Sequence, residues 1–179
     1  MNSLGLLGPE DTYHDIARKR FVPHFEPNFY KTFDDIFGAL KEGKVNKVLV
    51  ALKNSTSGLV NDNLERIKKS GFKVIEEFDM PIHLCLGSIQ PNTLNSIKKI
   101  YSHPMAIEET QKYFRKYSHI TFISSESTAG AIAELKNLTD PQTAVIASKE
   151  ALDNHSLLMI SEKIEDEPNN STTFGLIEK

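Results

Sequence analysis

The sequence predicts an α/β fold with mainly parallel sheets, on three observations. Apolar strand-like runs alternate with segments of helical period from one end of the chain to the other. One run, Val48-Leu49-Val50-Ala51-Leu52, is continuously apolar, the pattern of a strand buried on both faces in a parallel sheet. Twice a proline marks a place where the chain can cross between two lobes, at Met80-Pro81 and at Asp166-Glu167-Pro168.

Taken in order, residues 4–7 read as a short strand ended by Gly8-Pro9-Glu10-Asp11-Thr12. A helix follows over about 12–21, with Ile16, Ala17 and Phe21 facing inward. Pro23 and Pro27 frame a connector, and 29–31 form a second short strand. Residues 34–40 are helical, with Ile36, Phe37 and Leu40 on one face and Gly43 past the end. The apolar strand 48–52 runs into Asn54-Ser55-Thr56-Ser57-Gly58, after which Asn61 or Asp62 caps a helix that ends at Gly71. Residues 72–78 alternate with Lys and Glu as a strand, and 81–86 form another.

In the second half, Pro91-Asn92-Thr93 predicts a helix start. Ser102-His103-Pro104 predicts the next, with Ile107, Gln111 and Phe114 at helical spacing. A strand over 120–123 leads into Ser127-Thr128-Ala129-Gly130-Ala131 and a helix to about residue 138. Residues 143–147 form a strand, a short helix begins near Ser148, and 157–164 is a strand expected to return to the first lobe. Asn169 and Asn170 make a turn before the closing strand 172–177.

Composition excludes several function classes. With 179 residues the chain can bury a substantial core. A net charge of −3 with acids and bases interspersed gives no footprint for nucleic acid or an anionic membrane. No apolar run approaches the roughly 20 residues of a membrane span. The start of the chain has no basic segment followed by an apolar one, so a cytoplasmic location is expected. The single cysteine, Cys85, lies in an apolar strand and reads as a small core residue. His24, His83, His119 and His155 show no metal-ligand spacing, and no phosphate loop or dinucleotide fingerprint is present, so neither metal nor cofactor is expected.

Four junctions repeat one pattern, an apolar strand followed by Gly, Ser, Thr or Asn and then a helix. They are 8–12, 54–58, 102–104 and 127–130, and each offers hydroxyls and free backbone N–H groups that suit an anion. Any one alone reads as ordinary capping. Four, together with Thr172, point to a small carboxylated ligand.

These junctions resemble the motifs of the prephenate dehydratases. Gly8-Pro9-Glu10-Asp11-Thr12-Tyr13 is similar to Gly-Pro-x-Gly-Thr-Phe, and Lys53-Asn54-Ser55-Thr56-Ser57-Gly58 to Glu-Asn-Ser-x-x-Gly. Tyr101-Ser102-His103-Pro104-Met105-Ala106 is similar to Ser-His-Pro-Gln-Ala, Ser127-Thr128-Ala129 to Ser-Thr-Ala, and Asn170-Ser171-Thr172-Thr173-Phe174 to Asn-x-Thr-Arg-Phe. The order is the family's and the resemblance covers the chain. It implies a two-lobed fold like type II periplasmic binding proteins, with lobes of about 1–80 plus 165–179 and about 81–164 and a ligand cleft between them. An ACT regulatory domain commonly follows the last strand in that family; with residue 179 the last, none is expected here. A homodimer is left open.

The resemblance implies a lyase that converts prephenate to phenylpyruvate in phenylalanine biosynthesis, with no cofactor. Its catalytic residues would be Thr172, Asn54 and Ser55. Thr12, Lys53, Ser102, His103, Ser127, Thr128, Thr173 and Phe174 would bind substrate. Departures stand at several positions: Thr173 replaces the family arginine, Lys53 its glutamate, Met105 its glutamine, Asp11 a glycine and His14 a serine. Lys53 or His14 is expected to replace the missing cation. The alternatives are a non-aromatising prephenate decarboxylase and a non-catalytic carboxylate-binding protein on the same scaffold.

Overall fold

The computed structural model describes residues 2–138 and 140–179. The chain forms two compact units, one made of 1–82 and 169–179, the other of 83–168.

The first unit is built on a sheet in the order β2-β1-β3-β11-β5, with β4 paired to β3. Its strands are β1 (Ser3–Leu7), β2 (Glu26–Tyr30), β3 (Lys47–Asn54), β4 (Gly58–Leu59), β5 (Lys73–Pro81) and β11 (Ser171–Glu178). The continuous apolar run is the central strand β3, and Val48, Val50 and Leu52 face one apolar cluster while Leu49 and Ala51 face the other. Helices α1 (Tyr13–Phe21), α2 (Phe33–Lys41) and α3 (Asn63–Ser70) complete those clusters: Ile36, Phe37, Leu40 and Ile67 on the first side, Ile16 and Ala17 on the second. The caps follow the sequence. Thr12 and Thr32 accept from the third N–H of their helices, and Gly71 ends α3 in the left-handed conformation.

The second unit holds a sheet in the order β10-β6-β9-β7-β8. Its strands are β6 (Cys85–Ser88), β7 (Lys99–Ser102), β8 (Thr121–Ser124), β9 (Thr143–Ala147) and β10 (Leu158–Ser161). Helices α4 (Pro104–Glu108), α5 (Gln111–Phe114), α6 (Thr128–Lys136) and α7 (Lys149–Asn154) belong to this unit. Ala131, Ile132 and Leu135 of α6 pack on Val145, Ala147 and Tyr101, and Cys85 is buried in the same cluster as a core residue.

Three expectations are corrected. The sheets are mixed, because β11 lies antiparallel to both β3 and β5, and β6 lies antiparallel to β9 and β10. The strand expected to rejoin the first lobe pairs instead with β6 in the second unit. No helix begins at Pro91; Ser96 Oγ bonds the Thr93 N–H and carbonyl and Asn92 Oδ1, while Asn92 Nδ2 reaches Pro141 O at 2.8 Å. Side chains that take up the backbone groups in this way compete with a helical turn. Among the described residues, no helix is long and apolar enough to cross a membrane.

Candidate active site

The start of β11 lies beside the end of β3, pairing Thr172 with Asn54, and this register assembles a buried polar network. Asn54 Oδ1 accepts from the Thr56 N–H at 2.8 Å and the Ser57 N–H at 3.0 Å. Those two bonds settle which end of the amide is oxygen. Its Nδ2 therefore points the other way and spends both hydrogens, on Asn170 Oδ1 at 2.9 Å and on Thr172 Oγ1 at 3.1 Å. Thr172 is an acceptor in this pair, and no described residue takes its hydroxyl proton. The proton is free to be donated outward, from a buried hydroxyl held by a rigid amide.

Ser55 closes the arrangement from outside. Its N–H donates to Ser171 O at 2.8 Å, and its Oγ accepts from the Ser171 N–H at 2.9 Å. These bonds brace β11 against β3 and give Ser55 a positioning task. Asn170, a member of the closing motif not singled out from the sequence, is the missed residue of the group: it is buried and is the second acceptor of Asn54. Its signal was the Asn two positions before Thr172.

The first junction is organised by capping. Thr12 donates its hydroxyl to Leu7 O at 3.0 Å and accepts from the Asp15 N–H, so its proton is already used. Asp11, at the family's glycine position, has φ +64°, the left-handed region that glycine adopts without cost and Asp tolerates. Its N–H donates to Asp15 Oδ2 at 3.1 Å. The carboxylates of Glu10, Asp11 and Asp15 come within 4.8 Å of one another, but Lys19 ion-pairs with all three. That ammonium supplies the balancing charge, and Asp15 is further held ionised by Arg18.

In the second unit, Ser102 is fully buried and donates to Ile146 O at 2.7 Å, which ties β7 to β9 rather than offering a ligand donor. His103 caps α4, its Nδ1 accepting from the Met105 N–H at 3.2 Å. Burial lowers its pKa, so the neutral tautomer presents Nε2–H as a donor. Ser127 Oγ caps α6 by accepting from the Gly130 N–H at 2.8 Å, and Thr128 at the first helical position is buried.

Three residues of the expected substrate-binding set have other surroundings. Phe174 is 1% exposed and sits in the core, edge-on to the His14 ring and in one cluster with Leu49, Ala51 and Leu176. Lys53 is exposed on the opposite face of β3 from Asn54, in line with Thr173. Thr173 itself donates to Asp79 Oδ1 at 2.5 Å on that outer face. His14 cannot be a cation either. It is buried, its Nε2 accepts from the Ala51 N–H at 3.2 Å, and burial lowers its pKa to about 4.

The family model for prephenate dehydratase matches residues 4–179. The chain belongs to the prephenate dehydratase family. It is 34% identical over 178 residues to the prephenate dehydratase of Lactococcus lactis subsp. cremoris, covering 98% of this chain and 63% of the relative. The Escherichia coli bifunctional chorismate mutase/prephenate dehydratase is 27% identical over 151 residues, 82% of this chain and 39% of that protein. The chain thus spans under two-thirds of the length of these relatives. Among solved structures, prephenate dehydratase from Arthrobacter aurescens in complex with L-Phe superposes with a TM-score of 0.88 at 21% identity, over 99% of this chain and 60% of that one. An arginine-specific periplasmic binding protein from Salmonella typhimurium gives 0.52 at 16% identity, over 99% of this chain and 84% of that one. The fold is therefore that of the dehydratases, with type II periplasmic binding proteins as more distant neighbours.

Proposed function

We propose that this chain carries the decarboxylative dehydration of prephenate to phenylpyruvate, the activity for which its family is named. The ring carboxylate leaves as CO₂, and the electron pair of its carbon–carbon bond enters the ring. The ring hydroxyl leaves from the opposite carbon, takes one proton and departs as water. Aromatisation drives the step, so the protein needs placement and one aimed proton.

The observation that carries this reading is the Thr172 hydroxyl, which accepts from Asn54 and keeps its own proton available. A threonine is a weak acid, so its contribution is a hydrogen bond to the departing oxygen that strengthens as negative charge grows there. Asn54 and Asn170 orient it, and Ser55 fixes the two strand ends that bear them. His103 Nε2–H and the N-terminus of α6 are donors suited to a carboxylate.

The test is incubation with prephenate followed by identification of the product. Phenylpyruvate supports the proposal. A non-aromatic keto acid would make the chain a decarboxylase, and binding without turnover would leave a carboxylate-binding protein.

A further inference from the structure

One buried hydroxyl in the second unit has no partner. Ser125 is 7% exposed, and its Oγ bonds nothing among the described residues. Its backbone is accounted for, since the Ser125 N–H donates to Ser102 O at 2.8 Å and so prolongs the β7–β8 pairing by one residue. Pairing of Tyr101 with Ile123 and with Val145 puts these three on one face of the sheet. Tyr101 and Val145 pack against Ala131, Ile132 and Leu135, so that is the face covered by α6. Alternation along the strand puts Ser125, two residues past Ile123, on the same face. The α6 cap, Ser127, follows two residues later. The orphan hydroxyl therefore lies at the N-terminal end of a nine-residue helix.

That end has unspent donors. The Ser127 hydroxyl caps the Gly130 N–H, but the Thr128 and Ala129 N–H groups have no acceptor among the described residues. A buried polar group left without a partner destabilises the fold. A hydroxyl held in that state beside two free N–H groups and the positive end of a helix is matched to an anion.

We infer that Ser125 is a ligand-contacting residue, its hydroxyl joining the Thr128 and Ala129 N–H groups to bind the substrate carboxylate that survives the reaction. The inference rests on the dehydratase reading for which carboxylate is held. Several donors clamped on the departing carboxylate would stabilise the ground state most and oppose its loss. The donors therefore serve the pyruvyl carboxylate, which phenylpyruvate retains.

The test uses the full chain with phenylpyruvate as the probe, read by the amide chemical shifts of Thr128 and Ala129. Wild type is expected to bind with shifts at those two amides. Ser125→Ala is expected to bind about 10-fold more weakly, the scale of one lost hydrogen bond to a charged group. Its Tm is expected to be unchanged or higher, since the substitution removes a group that has no partner in the free protein. Ser125→Thr is expected to restore binding. Equal affinity in wild type and Ser125→Ala overturns the inference, as does the absence of shifts at the two amides. A marked fall in Tm for Ser125→Ala also overturns it, by giving the hydroxyl a structural task. Prephenate turnover by wild type is measured alongside; its absence sinks the dehydratase reading alone, because carboxylate binding at α6 is scored without it.

Discussion

His14 predicts a specific loss of stability in mild acid. The ring is buried against Phe33 and Phe174, accepts the Ala51 N–H through Nε2, and has its pKa lowered from 6.5 to about 4. The folded state thus holds the neutral ring, while the unfolded chain binds a proton near pH 6.5. Between those values the unfolded state binds more protons, so stability rises with pH across the window. The full effect is about 3 kcal/mol, present above the unfolded pKa and lost by about pH 4. Between about pH 7 and pH 5 some 2 kcal/mol of it disappears. Urea unfolding at the two pH values measures the change, with His14→Gln as the reference. The glutamine oxygen can accept the same N–H and does not titrate. Subtracting the variant removes the other histidines, including His103, whose burial shifts it the same way. Asp15, with its pKa held down against burial by Lys19, the Asp11 N–H and Arg18, contributes only at lower pH. Equal pH dependence in wild type and His14→Gln would refute the reasoning.

Thr172→Val removes the free proton and also leaves one Asn54 N–H without its acceptor, so turnover of prephenate should fall about 100-fold with a stability loss of about 1–3 kcal/mol, while Thr172→Ser should retain most of both. Asn54→Asp replaces the Nδ2 group and its two N–H donors by a single carboxylate oxygen facing Asn170 Oδ1 and Thr172 Oγ1, so chemical denaturation should show a loss of about 2 kcal/mol, with a fall in turnover. Lys53→Met should leave the KM for prephenate within about twofold of wild type, because one lost charge-assisted contact, about 1.5–3 kcal/mol, would raise it tenfold or more. A tenfold rise in that assay would return Lys53 to the site.

What the sequence disclosed depended on the range of the interaction that decides each feature. Strand β3 was legible because five consecutive apolar residues need no partner to be recognised. The caps at Thr12, His103, Ser127 and Ser148 were legible because capping is settled within three residues. The helix at Pro91 failed because Ser96 and Pro141, the second lying 50 positions from Pro91, take up the local polar groups. The antiparallel place of β11 was hidden because its partners, β3 and β5, lie about a hundred residues earlier in the chain. Asn54 and Thr172 were found through their motifs, whereas the face of Lys53 depended on the register shift between β3 and β11, and the burial of Phe174 on the His14 ring and the cluster around it, neither of which a local pattern encodes.

The missing arginine bears on how a dianion is bound. Neither sequence candidate supplies its charge at the Thr172 face: His14 is neutral and bonded to Ala51, and Lys53 stands on the outer face with Thr173 and Asp79. Under the proposed reaction, the donors named above for the ligand are neutral, namely hydroxyls, amides and a neutral imidazole. Neutral donors still gain about 1.5–3 kcal/mol each from an ionised acceptor, so binding does not require a cation. They also carry a kinetic advantage. One substrate carboxylate loses its charge as CO₂ departs, and a cation nearby would favour the state before that loss. The difference is measurable as a salt dependence. A site that draws its ligand by opposite charge loses affinity as ions screen it. A chain of net charge −3 that binds a dianion through neutral donors gains nothing from low salt. The KM for prephenate should therefore stay level or fall as ionic strength rises, and a steep rise would mean that a cation contacts the ligand after all.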